Sequence, residues 1–294
     1  MKLVTFQQAA GRGGYRVGAL VSETEIADLT SLVSDDDLSA ADVLRCFDLD
    51  SGFCDDARAA AVNKNAGALL ALGSVSLAAP VPRPGKIICV GLNYRDHAEE
   101  SGMPIPSSPV IFSKFSSCAV GPDSPIVIPR GSTQTDYEAE LAFIVGRRAR
   151  NAARANALDH VFGYTNFNDV SARDFQFADG QWQRGKSCET FAPMGRFAAT
   201  VDEMADPHDL SIKLRLNGEV MQDSNTSQMI FGIAELVEFL SRYITLEPGD
   251  VVATGTPPGV GFARKPPVYL KKGDVVEIEI EGLGVLSNPV ASDE

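Results

Sequence analysis

The chain has 294 residues, 44% of them hydrophobic and 22% charged, which at roughly 150 residues per domain is about two domains' worth of globular protein. That balance excludes intrinsic disorder as the main state, and no apolar run approaches the roughly 20 residues a membrane-spanning helix needs. The formal charge of −13, from 26 basic against 39 acidic side chains, argues against a nucleic-acid partner; one metal ion and a few basic side chains would still reverse the local field for a small anion.

The start, MKLVTFQQAAGRGGYRVG, has no basic stretch followed by an apolar one, so no secretory signal is read and the cytoplasm is the expected compartment. Leu3 to Phe6 and Tyr15 to Val21 are β-prone and joined across Gly11, Gly13 and Gly14, as in a hairpin. An acidic, alanine-rich stretch follows, in which Leu38, Val43, Leu44, Leu69, Leu70 and Leu72 are spaced as on helices. Ala79 to Gly85 holds three prolines and a glycine in seven residues and reads as a linker. The expected organisation is therefore a small N-terminal module over 1–79 and a catalytic domain over 80–294.

Beyond the linker, strands dominate. Lys86 to Val90 is a short apolar run closed by Gly91, and Pro109 to Phe112 and Ile126 to Ile128 are further strand pieces. Leu210, Ile212, Leu214 and Leu216 alternate strictly up to Asn217-Gly218, a dipeptide suited to a hairpin turn because both positions need positive φ. Val275 to Ile280 alternates again, and Ser227 to Ile244 has helical spacing. No regular β–α alternation is present, which argues against a (β/α)8 barrel or a dinucleotide-binding sheet. The expected fold class is mostly β with some α.

The five cysteines are scattered without a C-x-x-C pair, so neither a disulfide framework nor a structural zinc site is expected. Three other groups of residues carry chemistry. In Thr135 to Val145, alternation puts Glu138 and Glu140 on one face at the head of an apolar strand. Either that strand end is solvated, or the two carboxylates face inward and need a cation. Asp169 closes a second short strand, Tyr164 to Val170, and is followed by Arg173, Gln176 and Lys186. Three oxygen donors without Cys or His fit a hard ion, Mg²⁺ or Mn²⁺. In Gly91 to Glu100, His97 and Glu100 stand at i, i+3; on a helix they form either a surface pair or a general base whose tautomer is fixed by the carboxylate. His160 and His208 show no comparable neighbour in the sequence.

Taken in order, Gly91-Leu92-Asn93-Tyr94 with His97, Asp136-Tyr137-Glu138-Ala139-Glu140, Asn168 to Asp174, Gly185-Lys186-Ser187 leading to Phe191 to Gly195, and Gly255 to Gly261 resemble the fumarylacetoacetate hydrolase superfamily over about Lys86 to Val290. The resemblance implies a mixed β-sandwich roll with a small N-terminal module, usually as a homodimer. It implies Mg²⁺ or Mn²⁺ on Glu138, Glu140 and Asp169, and a catalytic pair of His97 and Glu100 on a lid. It further implies Lys186 near the metal, with Arg173, Gln176 and Thr256 toward the substrate. Arg196 departs from the pattern, since many relatives have proline there. Ser101 to Pro106 and Lys265 to Leu270 look like the group of 2,4-diketo-3-deoxy sugar-acid hydrolases (fuconate and rhamnonate type).

The activity expected from this resemblance is metal-assisted hydrolysis of a C–C bond in a 2,4-dioxo acid, releasing pyruvate. An oxaloacetate-type decarboxylase or a 2-hydroxyhepta-2,4-diene-1,7-dioate isomerase of the same superfamily is the alternative. A non-catalytic keto-acid-binding protein is the reading from another class. The expected partner is a small keto acid, with neither nucleic acid nor membrane.

Overall fold

The structure is a computed structural model that describes residues 1–8, 13–63 and 68–293. Two mixed sheets organise it. The larger has 11 strands, running from Leu69–Ala71 through Glu25–Asp28, Arg16–Leu20, Lys2–Gln8, Ala198–Thr200, Val161–Asn168, Ala139–Val145, Val251–Ala253 and Ile87–Gly91 to Val110–Lys114 at the edge, with Val75–Leu77 paired to Lys2–Gln8. The smaller has 5 strands in the order Glu219–Asn225, Ser211–Leu216, Val275–Ile280, Gly284–Ser292 and Ile126–Ile128. The α+β, mostly β class expected from the sequence is what the chain adopts.

The centre of the large sheet is buried on both faces. Every residue of Ala139–Val145 and of Val161–Asn168 is buried, the polar Glu140, Thr165, Asn166 and Asn168 among them. The small sheet packs against them, and Asn166 reaches across: its amide donates to the carbonyls of Ile278 at 3.2 Å and Gly284 at 2.9 Å. The hairpin at Asn217-Gly218 forms with φ of 54° and 83°, joining Ser211–Leu216 to Glu219–Asn225 in antiparallel register.

Several local expectations are corrected. Leu69 and Leu70 are not helical and Leu72 only opens a 3-10 turn; Leu69–Ala71 is an edge strand, because pairing with Glu25–Asp28 outweighs local spacing. The helix expected from Ser227 begins only at Ile233 and runs to Tyr243. The preceding backbone is claimed by Asn93, whose carbonyl accepts from Ile230 N at 2.8 Å and whose side chain accepts from Phe231 N at 2.8 Å. His208 does have a carboxylate neighbour, Asp206 at 3.3 Å, and its Nε2 accepts from Ile233 N at 3.1 Å, satisfying a helix-end donor. Gly11 of the first hairpin lies outside the described residues.

The proline-rich stretch at 79–85 is not a solvated linker. Pro80, Val81, Pro82 and Pro84 are buried, and Thr5 Oγ1 donates to the Pro80 carbonyl at 2.7 Å. The N-terminal strands continue the sheet of the remainder, with Lys2 paired to Ala199 and Leu3 to Ala198. At Arg196 the backbone is held in place by the preceding residue, since Gly195 N donates to Asn166 O at 2.9 Å.

Candidate metal centre and active site

Strand register brings the carboxylates together. Ala139 pairs with Asn168, so Glu138 and Asp169, one residue outside each strand, fall side by side; Asp169 N donates to Glu138 O at 2.9 Å. Glu140 shares the face of Glu138 by alternation. The result is a buried group of Glu138, Glu140 and Asp169, from each of which one oxygen lies within 4.8 Å of the others. The inward-facing alternative is therefore the one the chain adopts, and the carboxylates are not solvated.

Three cations surround the group. Lys186, at the end of the short helix Gln183–Lys186, donates to Glu138 Oε2 at 2.6 Å and Asp169 Oδ2 at 2.7 Å. Arg173 donates from Nη2 to Glu138 Oε1 at 2.6 Å and from Nε to Asp136 Oδ2 at 2.9 Å, and from Nη1 to Gln176 Oε1 at 3.1 Å. Lys114, the last residue of Val110–Lys114, contacts Asp169 Oδ1 and donates to Val170 O at 2.9 Å. Asp136 also accepts from Gly261 N at 2.8 Å and Phe262 N at 3.1 Å, tying the arginine to the glycine-rich loop.

Charge is distributed unevenly. Burial alone would raise the Glu138 pKa, but the Arg173 guanidinium and the Lys186 ammonium overcome it and hold the group well below the ordinary range. Burial raises Glu140 well above that range, and the neighbouring Asp169 and Glu138 raise it further. Among the described residues its carboxylate accepts from Gly255 N at 2.8 Å. Gly255 has φ of +101°, and a Cβ there would stand 2.7 Å from Asn93 Cβ, so glycine lets the loop bring its amide to the carboxylate. When all are ionised, Asp136, Glu138, Glu140 and Asp169 outnumber the positive charges of Lys114, Arg173 and Lys186 by one.

These donors fit a divalent cation. All are hard oxygens, and Glu140 is a buried carboxylate to which no side-chain cation bonds among the described residues. A 2+ ion on Glu138, Glu140 and Asp169 would turn the local excess of one negative charge into one positive charge, suited to an anionic acid.

The carboxylates open into a cavity of about 530 Å³. His97, Glu100, Glu138, Glu140, Asp169, Arg173, Gln176, Lys186 and Thr256 all line it. His97 and Glu100 lie on the helix Arg95–Ser101, with Nδ1 and Oε2 3.1 Å apart. Glu100 also accepts from Gly259 N at 3.0 Å, so the helix is tethered over the cavity. Thr256 Oγ1 accepts from Gln222 Nε2 at 2.8 Å, and Gln222 Oε1 accepts from Ala139 N at 2.9 Å.

Sequence reasoning missed Lys114 and gave Asp136 no task. The signal for Asp136 is its place in the Asp-x-Glu-x-Glu spacing, and for Lys114 a lysine closing the β-prone run from Val110. The wall of Leu92, Met103, Phe112, Phe177, Trp182 and Phe262 comes from separate stretches of the chain and has no local signature.

Among the described residues no helix is long and apolar enough to cross a membrane. Residues 86–291 match the family described as fumarylacetoacetate (FAA) hydrolase, C-terminal. The chain is 51% identical over 224 residues, 76% of its own length and 70% of the relative, to the mitochondrial oxaloacetate tautomerase fahd2 of Xenopus laevis. Among solved structures it is similar to a probable 2-hydroxyhepta-2,4-diene-1,7-dioate isomerase from Mycobacterium abscessus, with TM-score 0.80 and 33% identity over 100% of both chains. It is also similar to maleylpyruvate hydrolase from Sphingobium sp. SYK-6 in complex with manganese(II) and pyruvate, with TM-score 0.83 and 33% identity over 100% of both chains. The buried carboxylates, the tethered histidine pair and these likenesses agree, and the chain belongs to the fumarylacetoacetate hydrolase family.

Proposed function

We propose that this protein is a divalent-metal-dependent tautomerase of 2-oxo acids, exchanging the keto and enol forms of an oxaloacetate-type substrate. The observation that carries this reading is the His97–Glu100 pair on the wall of the cavity that holds the three carboxylates. A base beside a chelated 2-oxo acid is the minimum needed to move a proton at C3, and no attacking water is required. The names of the tautomerase from Xenopus laevis and of the isomerase from Mycobacterium abscessus both describe such proton movement, and so favour it over C–C hydrolysis.

Glu138, Glu140 and Asp169 would hold the ion, Mg²⁺ or Mn²⁺. When bound, a divalent cation polarises the 2-oxo group and raises the acidity of the C3 proton. His97, with Nδ1 engaged by Glu100, takes that proton at Nε2, and the carboxylate stabilises the imidazolium. Lys186 supplies fixed positive charge toward the developing enolate oxygen. Thr256 and Gln176 offer hydrogen bonds to the substrate. The proposed setting is cytoplasmic, a reading supported by five free cysteines. A homodimer is proposed as well, supported by exposed Val110 and Ile111 on the edge strand and Phe115 just after it.

C–C hydrolysis of a 2,4-dioxo acid is the second reading, favoured by the likeness to maleylpyruvate hydrolase and by the capacity of the same pair to activate water. Loss of carbon dioxide from oxaloacetate would break the C3–C4 bond and leave the enolate of pyruvate, the same product enolate as C–C hydrolysis. The test is to add enol-oxaloacetate to Mn²⁺-loaded protein and follow enol decay and pyruvate together. Tautomerisation speeds the decay without pyruvate and stops with EDTA. Decay no faster than in buffer overturns the reading, and matched pyruvate release replaces it with decarboxylation.

A further inference from the structure

The smaller sheet reaches the site through one side chain. Leu214 pairs with Gln222 but Arg215 with Val220, so Met221 is an extra residue in Glu219–Asn225 and makes a bulge. Successive residues of a regular strand face opposite sides. The bulge lets Met221 and Gln222 both turn inward, and Gln222 is left only 1% exposed. A buried amide needs partners at both ends. Here Oε1 accepts from Ala139 N at 2.9 Å, and Nε2 donates to Pro257 O and to Thr256 Oγ1, each at 2.8 Å.

Two of these partners are backbone groups of fixed polarity. An N–H can only donate and a carbonyl can only accept, so Ala139 N holds Oε1 on its side and Pro257 O holds Nε2 on the other. The amide cannot turn over without losing both bonds. Its second hydrogen therefore meets Thr256, and the Thr256 hydroxyl must accept it. A hydroxyl has one proton to give, and among the described residues no protein acceptor takes that of Thr256. The side chain lines the cavity and is 6% exposed. Its proton is left for whatever the cavity binds.

Placement gives that donor its partner. Thr256 follows Gly255, whose N–H donates to Glu140, and Ala139 stands between Glu138 and Glu140. Gln222 thus ties the carboxylate strand to the glycine-rich loop at the cavity floor. An anionic acid brought to that floor presents oxygen acceptors, and a hydrogen bond to a charged group is among the stronger ones. We propose that Gln222 is a positioning residue that fixes Thr256 as a donor to a carboxylate of the bound 2-oxo acid. This rests on the 2-oxo-acid reading above and deepens it by naming the group that orients the substrate's partner. One carboxylate satisfies the donor, so pyruvate and oxaloacetate both meet the requirement.

The test is a double-mutant cycle read by calorimetry, with pyruvate titrated into Mn²⁺-loaded protein. Thr256→Val weakens pyruvate about tenfold or more, as expected for loss of a hydrogen bond to a charged group, and Mn²⁺ affinity is unchanged. Thr256→Ser keeps the hydroxyl and stays within about twofold of the parent. Gln222→Met weakens pyruvate by a factor similar to Thr256→Val, but by no more than about twofold when Thr256→Val is already present, because the two act through one bond. Should Gln222→Met not fold, Gln222→Glu keeps the acceptor for Ala139 N and enters the same cycle; its loss is again larger with Thr256 present than in Thr256→Val. Losses that simply add would make Gln222 a support of Ala139 alone and overturn the proposal. Parent-like affinity in Thr256→Val or in the Gln222 variant, or a loss in Thr256→Ser, overturns it too. Those outcomes leave the 2-oxo-acid reading standing, whereas failure of pyruvate to bind the Mn²⁺-loaded parent overturns both.

Discussion

The His97 imidazole holds Nδ1 3.1 Å from Glu100 Oε2, one turn further along the same short helix. That contact leaves a single ring nitrogen for proton transfer and makes the carboxylate a positioning residue for it. His97→Ala is expected to lower kcat about 10²- to 10⁴-fold, the usual contribution of a general base. Metal affinity measured by calorimetry stays unchanged, because His97 bonds none of the three carboxylates. A loss in Mn²⁺ affinity alongside kcat would count against a proton-transfer role.

Glu138 accepts from both Arg173 and Lys186. Glu138→Ala leaves two buried cations each short of a partner, which typically costs about 3–5 kcal/mol. The expected result is a clear loss in thermal or denaturant stability together with lost cation binding. Lys186→Met tests the converse, removing the charge that offsets Glu138 and Asp169. It is expected to weaken folding and substrate binding, and a variant as stable as the parent would show the pairs to be of little consequence.

Glu140 behaves in the opposite sense. Its pKa is raised in the fold by burial and by Asp169 and Glu138, so without a cation the native state binds the proton more tightly than the unfolded chain does. Glu140's contribution to the stability of EDTA-treated protein is therefore greatest below the ordinary carboxylate range and falls as pH rises from there toward the raised value. A bound divalent cation removes that slope. Glu140→Gln is expected to raise Tm in EDTA by about 2–4 °C near neutral pH and to abolish the rise that Mn²⁺ gives the parent. Parallel pH profiles with and without Mn²⁺ would refute the assignment.

The thiols divide by burial. Cys46, Cys54, Cys89 and Cys118 are buried and Cys188 is partly open; burial pushes Cys46 up to about 12 and Cys54 up to about 11. An aromatic disulfide reagent is expected to label one thiol per native chain, at Cys188. Burial also raises Cys188, so the rate climbs only above the ordinary thiol pKa. Peptide mapping that finds rapid labelling of a second cysteine in native protein would contradict the packing described.

How far the sequence could be read depended on the range of the interaction. Period two along Glu138 to Ile144, the Asn217-Gly218 turn and the three-residue step from His97 to Glu100 are consequences of backbone geometry within a few residues. Each could be derived before any partner was known. Which strands pair, and what faces what across a cavity, depends on contacts between distant segments. Only the folded chain brought Lys114 to Asp169, assigned Asp136 to Arg173, buried the prolines at 79–85 and replaced the first turns of the helix expected at Ser227 with bonds to Asn93. Local periodicity says which side chains share a face; the free energy of burying that face against another decides the rest, and it is a property of both surfaces at once.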